Sequence, residues 1–504
     1  MAEYLLGIDN GGTAAKAALF ATDGKEIAVA GRTLDMVSPK PGHTERDMND
    51  VWTATADAIR EVLAEAKVDP KDIIGIATAG HGNGLYLVDK QGEPVYNAII
   101  STGSRAKDYI AEWAEKGIDE KVLPKTMQSI WPAQPNALLA WLRDNEPEVM
   151  KKAGWALMCK DYIRFRLTGE FYAELTDYSG TSLMDVGTGE YDDEVLEAFG
   201  IGEMRDLLPP IKRSEDICGS VTAEAAAQTG LTEGTPVAGG LFDIDACGLA
   251  SGLVDETQMC MVAGTWSCNQ YISKDPVVSK DIFMTSRYAM PEEFLMLEAS
   301  PTSASNLEWF VAQFFEAEKE TAKEQGKSVY DVCNELVAQS SPEKANIIFL
   351  PFLFGSNADS DAKASFVGLG NWHTRADVVR SIYEGVVFGH RAHVDRLLQS
   401  REMSKSICLT GGAARSEQWV QIFADVFQAP VEIPAGTELG ALGAAICAAV
   451  AVGRYSSYEE AVGAMVQMSR VQNPNPANAE IYAKKYEAYK RVIEALGPVW
   501  KDLN

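Results

Sequence analysis

The order of secondary structure predicted for residues 1–80 constrains the fold more than any other feature of the sequence. Runs of apolar and β-forming residues alternate with glycine-containing turns. In the stretch 47–66, apolar residues recur at helical spacing, and Asp47 or Asn49 at its start could cap the helix. The predicted elements are strands at 4–8, 14–20 and 26–30, a helix at 47–66 and a strand at 73–77. This β-β-β-α-β order argues against a dinucleotide-binding unit, which begins β-α-β with parallel strands only.

A second strand–turn–strand segment at 259–272 resembles the opening one, with Gly264-Thr265 in the place of Gly12-Thr13. A chain of 504 residues is also too long for one compact core, so two domains are expected. Together these features predict an α/β protein with two ribonuclease-H-like domains and a central cleft, the architecture of an actin-like ATPase. We place the domains at 1–250 and 251–504, the second ending in a helical tail.

Composition excludes several classes of partner. The chain has 72 acidic and 45 basic residues, a net charge of −27, which repels nucleic acid and anionic membrane surfaces. Its eight cysteines form no C-x-x-C pair and are expected to be free thiols. The N-terminus lacks the pattern of a signal peptide, and residues 439–453 are too short to span a bilayer, so a cytoplasmic protein with a buried helix there is expected.

Glycine turns are the first candidate binding elements. Asp9-Asn-Gly11-Gly12-Thr13 lies at the predicted first hairpin, followed by Lys16. Glycines without Cβ atoms let backbone N–H groups and the Thr13 hydroxyl approach phosphate oxygens, and Asp9 could hold Mg²⁺ through water. A plain glycine turn explains this stretch alone equally well.

Two further glycine turns strengthen a nucleotide-binding interpretation. Gly264-Thr265 supplies a second phosphate turn, and Gly411-Gly412-Ala413 leads from a strand into a helix predicted to begin near residues 415–418. A surface without side chains there suits a purine and its ribose, with Ser416 close by. No turn has the P-loop spacing, so a P-loop ATPase is not indicated.

Long motifs resemble the FGGY carbohydrate kinases from about residue 4 to residue 450. The segments that carry this resemblance are 410–431, 438–445, 160–169, 350–355, 368–375 and 383–385. The resemblance implies an ATP- and Mg²⁺-dependent kinase for a small sugar, and dimers are common in the family. The overall pattern is most similar to the L-xylulose kinase branch.

The same resemblance implies a catalytic base. In the family this is an Asp shortly after a Gly-Gly, which matches Gly239-Gly240-Leu-Phe-Asp243. A carboxylate there would take the proton from the attacking hydroxyl. Asp245 is a competing candidate, since alternation on a strand would aim both carboxylates the same way. We prefer Asp243, with Asp245 at a helix start.

The sugar pocket is predicted to involve the loop 78–84, whose glycines flank His81 and Asn83. His81 could equally be a structural residue, and Trp131 could stack on a sugar or fill a core. L-xylulose kinases carry Gln-Gly-Lys-Gly where this chain has His81-Gly-Asn83-Gly, and erythritol kinases carry Gln-Gly-Asp-Gly. A ketopentose such as L-xylulose and a polyol such as erythritol therefore both remain possible substrates.

Two functions from other classes are weighed against a sugar kinase. A filament-forming or chaperone ATPase of the same architecture would need a polymerisation or peptide-binding surface, and no such segment is found in the sequence. A dinucleotide-dependent oxidoreductase is suggested only by the glycine turns, and the leading antiparallel strands argue against it.

Overall fold

A computed structural model describes residues 2–356, 361–399 and 401–503. The described chain divides into two compact units that are not continuous in sequence. The first unit comprises residues 1–254, 272–296 and 436–466, and the second comprises residues 255–271, 297–435 and 467–504. The boundary predicted near residue 250 therefore corresponds to the first of several crossings of the chain between the units.

The first unit is built on a seven-stranded mixed sheet with the strand order expected from the sequence. Tyr4–Asn10 pairs antiparallel with Ala14–Ala21, which pairs antiparallel with Glu26–Thr33. Ile73–Gly80 lies parallel to Tyr4–Asn10 on its other side. The sheet is completed by Pro236–Ala238 and Leu241–Phe242, both beside Ile73–Gly80, and by Ile217–Ser220 at the edge. The predicted β-β-β-α-β order is thus confirmed.

The helix after the third strand runs from Met48 to Ala66 and begins as predicted. The Asp47 carboxylate accepts hydrogen bonds from the backbone N–H groups of Asn49 and Asp50, which satisfies two donors of the first turn. Its buried face, which includes Val51, Ile59 and Val62, packs on the sheet. The other helices of this unit are Lys107–Glu115, Ile118–Thr126, Pro135–Asn145, Pro147–Met150, Cys159–Thr168, Leu175–Tyr178, Asp193–Ala198, Ala223–Thr229, Asp243–Ala250, Leu439–Ala451 and Tyr458–Met465.

The helix Leu439–Ala451 is almost completely buried, as its small apolar residues predicted. It lies so close to the strand Tyr4–Asn10 that a Cβ atom on Gly7 would be 1.8 Å from the carbonyl oxygen of Ala441. A Cβ atom on Gly443 would be 2.0 Å from the carbonyl oxygen of Ala246. Both glycines are therefore required by packing, because no side chain fits at these distances.

The second unit repeats the opening element of the first. Gln258–Ala263 pairs antiparallel with Ser267–Ser273 across the Gly264-Thr265 turn, and parallel with Ser406–Thr410. Val431–Pro434 continues the sheet in parallel, and Met468–Gln472 closes it antiparallel. Its helices are Ser305–Phe314, Glu316–Glu324, Val329–Gln339, Arg375–Leu397, Glu417–Phe427 and the C-terminal Ala479–Trp500.

Shorter strands complete the description. Those of the first unit are Glu45–Arg46 with Ala98–Ile99, Tyr86–Val88 with Trp155–Leu157, Ala173–Glu174 with Ile211–Lys212, and Met184–Asp185 with Glu190–Tyr191, and the second unit has Ile348–Leu350 with Ser365–Val367. Strands Met284–Arg287 and Phe294–Ser300 lie in the segment that follows Ser267–Ser273. None of the eight cysteines forms a disulfide, as predicted. Among the helices of the described residues, none has the length and apolar character that a bilayer crossing requires.

Candidate active site

The first glycine turn closes the hairpin of the first two strands. The Gly11 N–H donates to the carbonyl oxygen of Ala14 at 3.0 Å, and Gly12 and Thr13 are exposed at the tip. Beneath the turn lies Arg46, whose side chain is 1% exposed and whose guanidinium donates to the carbonyl oxygens of Gly11 (3.4 Å) and Gly12. Arg46 thus engages carbonyl oxygens on the inner side of the turn. Sequence reasoning missed Arg46, since nothing in the sequence connects position 46 to the turn.

Asp9 lies at the end of the first strand, just before this turn. Its Oδ1 atom is buried and has no hydrogen-bond partner among the described residues. Burial raises the pKa of Asp9 to about 6, with the Lys16 cation opposing and the Glu438 carboxylate adding to the rise. Lys16, predicted to bind nucleotide, forms an ion pair with Glu438 at 2.8 Å. An unsatisfied carboxylate oxygen with a raised pKa fits a site for a hydrated divalent cation.

The Asp243 segment begins at a glycine pair whose conformation is required. Gly240 has φ +88°, and a Cβ atom there would lie 2.2 Å from the carbonyl oxygen of Thr78. Arg164 donates to the carbonyl oxygen of Gly239 at 2.6 Å, and the Phe242 N–H donates to the Thr176 hydroxyl at 2.9 Å. The backbone leading to Asp243 is therefore held by side chains from two other segments.

Asp243 and Asp245 lie on a helix, which corrects the expectation that strand alternation leaves them equivalent. Asp243 is the first residue of the helix Asp243–Ala250, and residues two apart on a helix face different sides. Asp243 is partly exposed, whereas Asp245 is fully buried. Burial, reinforced by the charge of Asp9, raises the pKa of Asp243 to about 8. Burial also raises the pKa of Asp245 well above its ordinary value, with the Glu174 charge adding to the rise.

A buried network of ion pairs includes Arg164, which donates to the backbone just before Asp243. The Lys160 ammonium lies 2.8 Å from Asp161 and 3.3 Å from Glu174, and Arg164 contacts Asp161 at 2.7 Å. Burial alone would lower the pKa of Lys160, but these carboxylates raise it above its ordinary value. Asp177 lies 3.7 Å from the same ammonium, and its pKa is raised by burial. These groups lie between residues 160 and 177. Only 160–169 was identified from the sequence, as part of the family resemblance.

The loop predicted to bind sugar is largely buried. His81 is 5% exposed and its Nε2 lies 3.1 Å from the Tyr86 hydroxyl, while its Nδ1 is without a hydrogen-bond partner among the described residues. Burial and the Arg46 charge lower the pKa of His81 to about 4, so the ring is neutral. Asn83 adopts a left-handed backbone conformation with φ +60°, and its buried Oδ1 likewise has no described partner. Trp131 is half-buried, and its ring centroid lies 6.2 Å from that of Phe283.

In the second unit, residues of the second and third glycine turns line one pocket of about 500 Å³. Gly264, Thr265, Gly412 and Ser416 are among its lining residues. Gly411 lies behind them, where a Cβ atom would come within 2.7 Å of Ala263, and Ala413 is completely buried. The helix predicted near 415–418 begins at Glu417, capped by the Ser416 hydroxyl. The lining residues not anticipated from the sequence are Ala304, Ser305, Leu307, Glu308, Ser328, Tyr330, Asp331, Asn334, Tyr383, Arg415 and Trp419.

Asn334 is the most informative of these unexpected lining residues. Its Oδ1 atom lies 2.5 Å from the Ser416 hydroxyl and 3.0 Å from the Tyr383 hydroxyl. The Tyr383 ring stacks on Trp419 with centroids 4.2 Å apart. The Asn334 oxygen accepts from two hydroxyl groups, whereas its NH₂ group makes no hydrogen bond to another described residue and could donate to a ligand. Ser416 was predicted at this site, but its partner Asn334 lies 82 residues earlier and carries no motif.

These features are those of a carbohydrate kinase, and the comparison with known proteins establishes the family. Residues 4–249 match the N-terminal domain and residues 259–452 the C-terminal domain of the FGGY family of carbohydrate kinases, and the chain belongs to this family. It is 38% identical to the L-xylulose/3-keto-L-gulonate kinase of Escherichia coli (strain K12), over 98% of both chains. It is 37% identical to the probable L-xylulose kinase of Pasteurella multocida (strain Pm70), over 98% of this chain and 99% of that protein.

The fold is shared with solved structures of lower identity. The gluconate kinase from Lactobacillus acidophilus superposes with a TM-score of 0.91 over 100% of both chains at 24% identity. The predicted two-domain α/β architecture of the actin-like ATPase type is thereby confirmed.

Proposed function

We propose that this carbohydrate kinase transfers the γ-phosphoryl group of Mg-ATP to a hydroxyl group of a ketopentose such as L-xylulose, with Asp243 as general base. The observation that carries the proposal is the position of Asp243, a partly exposed carboxylate with a pKa of about 8 at the start of a helix. A base that removes a proton from an alcohol during transfer works best when its pKa lies near the working pH. Asp245 is fully buried and cannot reach a sugar hydroxyl without movement.

The first glycine turn and its neighbours would stabilise the negative charge of the transferring phosphoryl group. The exposed backbone at Gly12 and the Thr13 hydroxyl would donate hydrogen bonds to phosphate oxygens. Mg²⁺ would supply positive charge to the phosphates when held at Asp9 through water. Lys16, which is paired with Glu438, would need to exchange that carboxylate for a phosphate before it could bind nucleotide directly.

The pocket of the second unit would take the nucleoside of ATP. Backbone at Gly264, Thr265 and Gly412 gives surfaces that phosphate and ribose can approach closely. The Asn334 NH₂ group would donate to an acceptor atom of the base or the ribose. A volume of about 500 Å³ lies within the range of small-molecule sites.

The sugar would bind in the first unit beside Asp243. Unpartnered buried polar atoms at His81 and Asn83 are costly unless a ligand satisfies them, and a sugar with several hydroxyl groups does so. Trp131 would offer a half-buried ring against the carbon face of the sugar. The same polar atoms would accommodate a polyol such as erythritol, which is the second candidate because His81 and Asn83 differ from the L-xylulose kinase loop.

An ADP-release assay with a panel of ketopentoses, pentitols and tetritols tests the substrate. We expect the highest kcat/KM for a ketopentose, and ATP hydrolysis that no carbohydrate stimulates would contradict the proposal. The Asp243→Asn variant should retain ADP binding and lose at least about 100-fold in kcat. A homodimer and a cytoplasmic location are further proposals, testable by light scattering and by cell fractionation.

A further inference from the structure

The Gly264-Thr265 turn is held by a short segment that precedes the helix Ser305–Phe314. The N–H of Ala304 donates to the carbonyl oxygen of Gly264 at 2.9 Å. The hydroxyl of Ser305 donates to the carbonyl oxygen of Thr265 at 3.2 Å. Both carbonyl groups of the turn thus accept hydrogen bonds from this segment, so the position of the segment determines where the turn lies.

One buried side chain touches both this segment and the strand that leaves the turn. His390, on the helix Arg375–Leu397, is 0% exposed. Its Nε2 lies 2.9 Å from the hydroxyl of Ser303, one residue before Ala304. Its Nδ1 lies 2.7 Å from Asn269 Oδ1 and 3.1 Å from the hydroxyl of Ser267, two residues after Thr265.

The chemistry of these partners assigns the protons on His390. Asn269 Nδ2 donates to the carbonyl oxygen of Glu298 and to Ser267, so the atom of Asn269 that faces the imidazole is an acceptor oxygen. The Nδ1 atom of His390 therefore carries the hydrogen, and Nε2 accepts from the Ser303 hydroxyl. Burial and the neighbouring His393 lower the pKa of His390 to about 3, so the ring stays neutral and this pattern persists at physiological pH.

We propose that His390 is a positioning residue for nucleotide binding, joining the strand after the Gly264-Thr265 turn to the segment that holds the turn's carbonyl groups. It touches no predicted ligand position itself and acts through Ser303 and Ser267. The inference rests on the proposed function, in which this turn binds the phosphates of ATP. Because the imidazole bonds both sides at once, its loss should loosen the turn and weaken nucleotide binding without altering the sugar site.

The test compares variants that remove one or both sides of this linkage. His390→Phe keeps an aromatic ring, though a larger one, but loses all hydrogen bonds, and His390→Gln can still accept from Ser303. We expect the Kd for ADP, measured by calorimetry without sugar, to rise about 10-fold in His390→Phe, which is about 1.4 kcal/mol, because bonds on both ring nitrogens are lost. The rise should be smaller in His390→Gln. In both His390→Phe and His390→Gln, the KM for the sugar should change less than about 2-fold.

A buried histidine on the next turn of the same helix provides the control. His393 bonds Glu298 and Ser300 instead, so His393→Gln should lower the melting temperature without changing the Kd for ADP. Ser303→Ala removes only one hydroxyl and tests the inference if His390→Phe fails to fold. Unchanged ADP binding in Ser303→Ala and His390→Gln, or an equal loss in His393→Gln, would overturn it. A wild-type protein that binds ADP and phosphorylates no carbohydrate would instead remove the proposed function and leave this test intact.

Discussion

Gly440 controls the position of the Asp9 carboxylate, and replacing it with alanine tests how closely that position is defined. Gly440 is the second residue of the buried helix Leu439–Ala451. A Cβ atom there would lie 2.3 Å from Oδ2 and 2.7 Å from Cγ of Asp9. Ordinary contacts of a Cβ atom begin near 3.4 Å, so the carboxylate has to move.

The size of the effect follows from that distance. Asp9 must shift by about 1 Å, and a misplacement of that size at a reacting centre costs about 100-fold in rate. We therefore expect kcat/KM of Gly440→Ala to fall by about 100-fold, equivalent to about 2.7 kcal/mol of transition-state stabilisation. Stability should not fall in parallel, because Asp9 is a movable side chain and alanine favours a helix over glycine by up to about 1 kcal/mol.

Steady-state kinetics and thermal unfolding of three glycine variants separate these effects. Gly463→Ala, in the helix Tyr458–Met465, is the matched control because its Cβ atom would have no neighbour within 4 Å. It should keep wild-type activity. Gly443→Ala meets the backbone of Ala246 and should unfold at a lower temperature, since backbone cannot move aside as a side chain can. Wild-type kcat/KM in Gly440→Ala, together with an unchanged dependence on Mg²⁺, would refute the requirement for this Asp9 position.

Three further predictions concern charge and hydrogen bonding. Because burial raises the pKa of Asp243 to about 8, protonation stabilises the folded state, and this contribution is lost as pH rises from the ordinary carboxyl pKa through 8. Asp243→Asn should therefore raise the melting temperature at pH 8 while abolishing the rise of kcat/KM with pH, and a lower melting temperature would contradict this. Asn334→Asp keeps an acceptor for both hydroxyl groups but loses the NH₂ donor, so the KM for ATP should rise about 10-fold while the KM for the sugar stays unchanged. An unchanged KM for ATP would show that the amide does not contact the nucleotide. Lys160→Met leaves the buried carboxylates of Glu174 and Asp177 without their cation and should cost about 3–5 kcal/mol in urea unfolding. Lys151→Met, at a side chain 69% exposed, should cost less than about 1 kcal/mol.

Much of the fold could be predicted because its signals are local. Strand propensity, glycine turns and helical spacing each depend on residues within one element. They predicted the first three strands, the helix Met48–Ala66, the strand Ile73–Gly80 and the helix after residue 416, but not the short strand Glu45–Arg46. The buried helix at 439–451 followed from its composition alone. That it packs in the first unit, against a strand more than 400 residues earlier, could not follow, because no local pattern records a distant partner.

In the candidate site too, residues with a local sequence signal were predicted and residues that depend on distant contacts were missed. Glycine turns were identified by residue type, and Asp243 by its resemblance to a family motif. Arg46 and Asn334 were missed because an isolated Arg or Asn has no distinctive spacing, and each matters only through a contact made by folding. Strand alternation could not separate the aspartates at 243 and 245, and only the family motif favoured Asp243. The assumed strand is in fact a helix start, with one carboxylate partly exposed and one fully buried.

The charge of Asp9 opposes ionisation of Asp243, so a change in the charge at Asp9 would change the state of Asp243. Asp9 has a buried Oδ1 atom with no hydrogen-bond partner among the described residues, and its charge adds to the burial that raises the pKa of Asp243. Neutralising the Asp9 charge removes that contribution and favours ionised Asp243. If Asp243 is the base proposed above, a cation that compensates Asp9 would favour proton removal by it. We propose on this basis that the burial of Asp9 and the partial burial of Asp243 serve phosphoryl transfer. Arg164, which contacts Asp161, would hold the backbone at Gly239 that leads to Asp243.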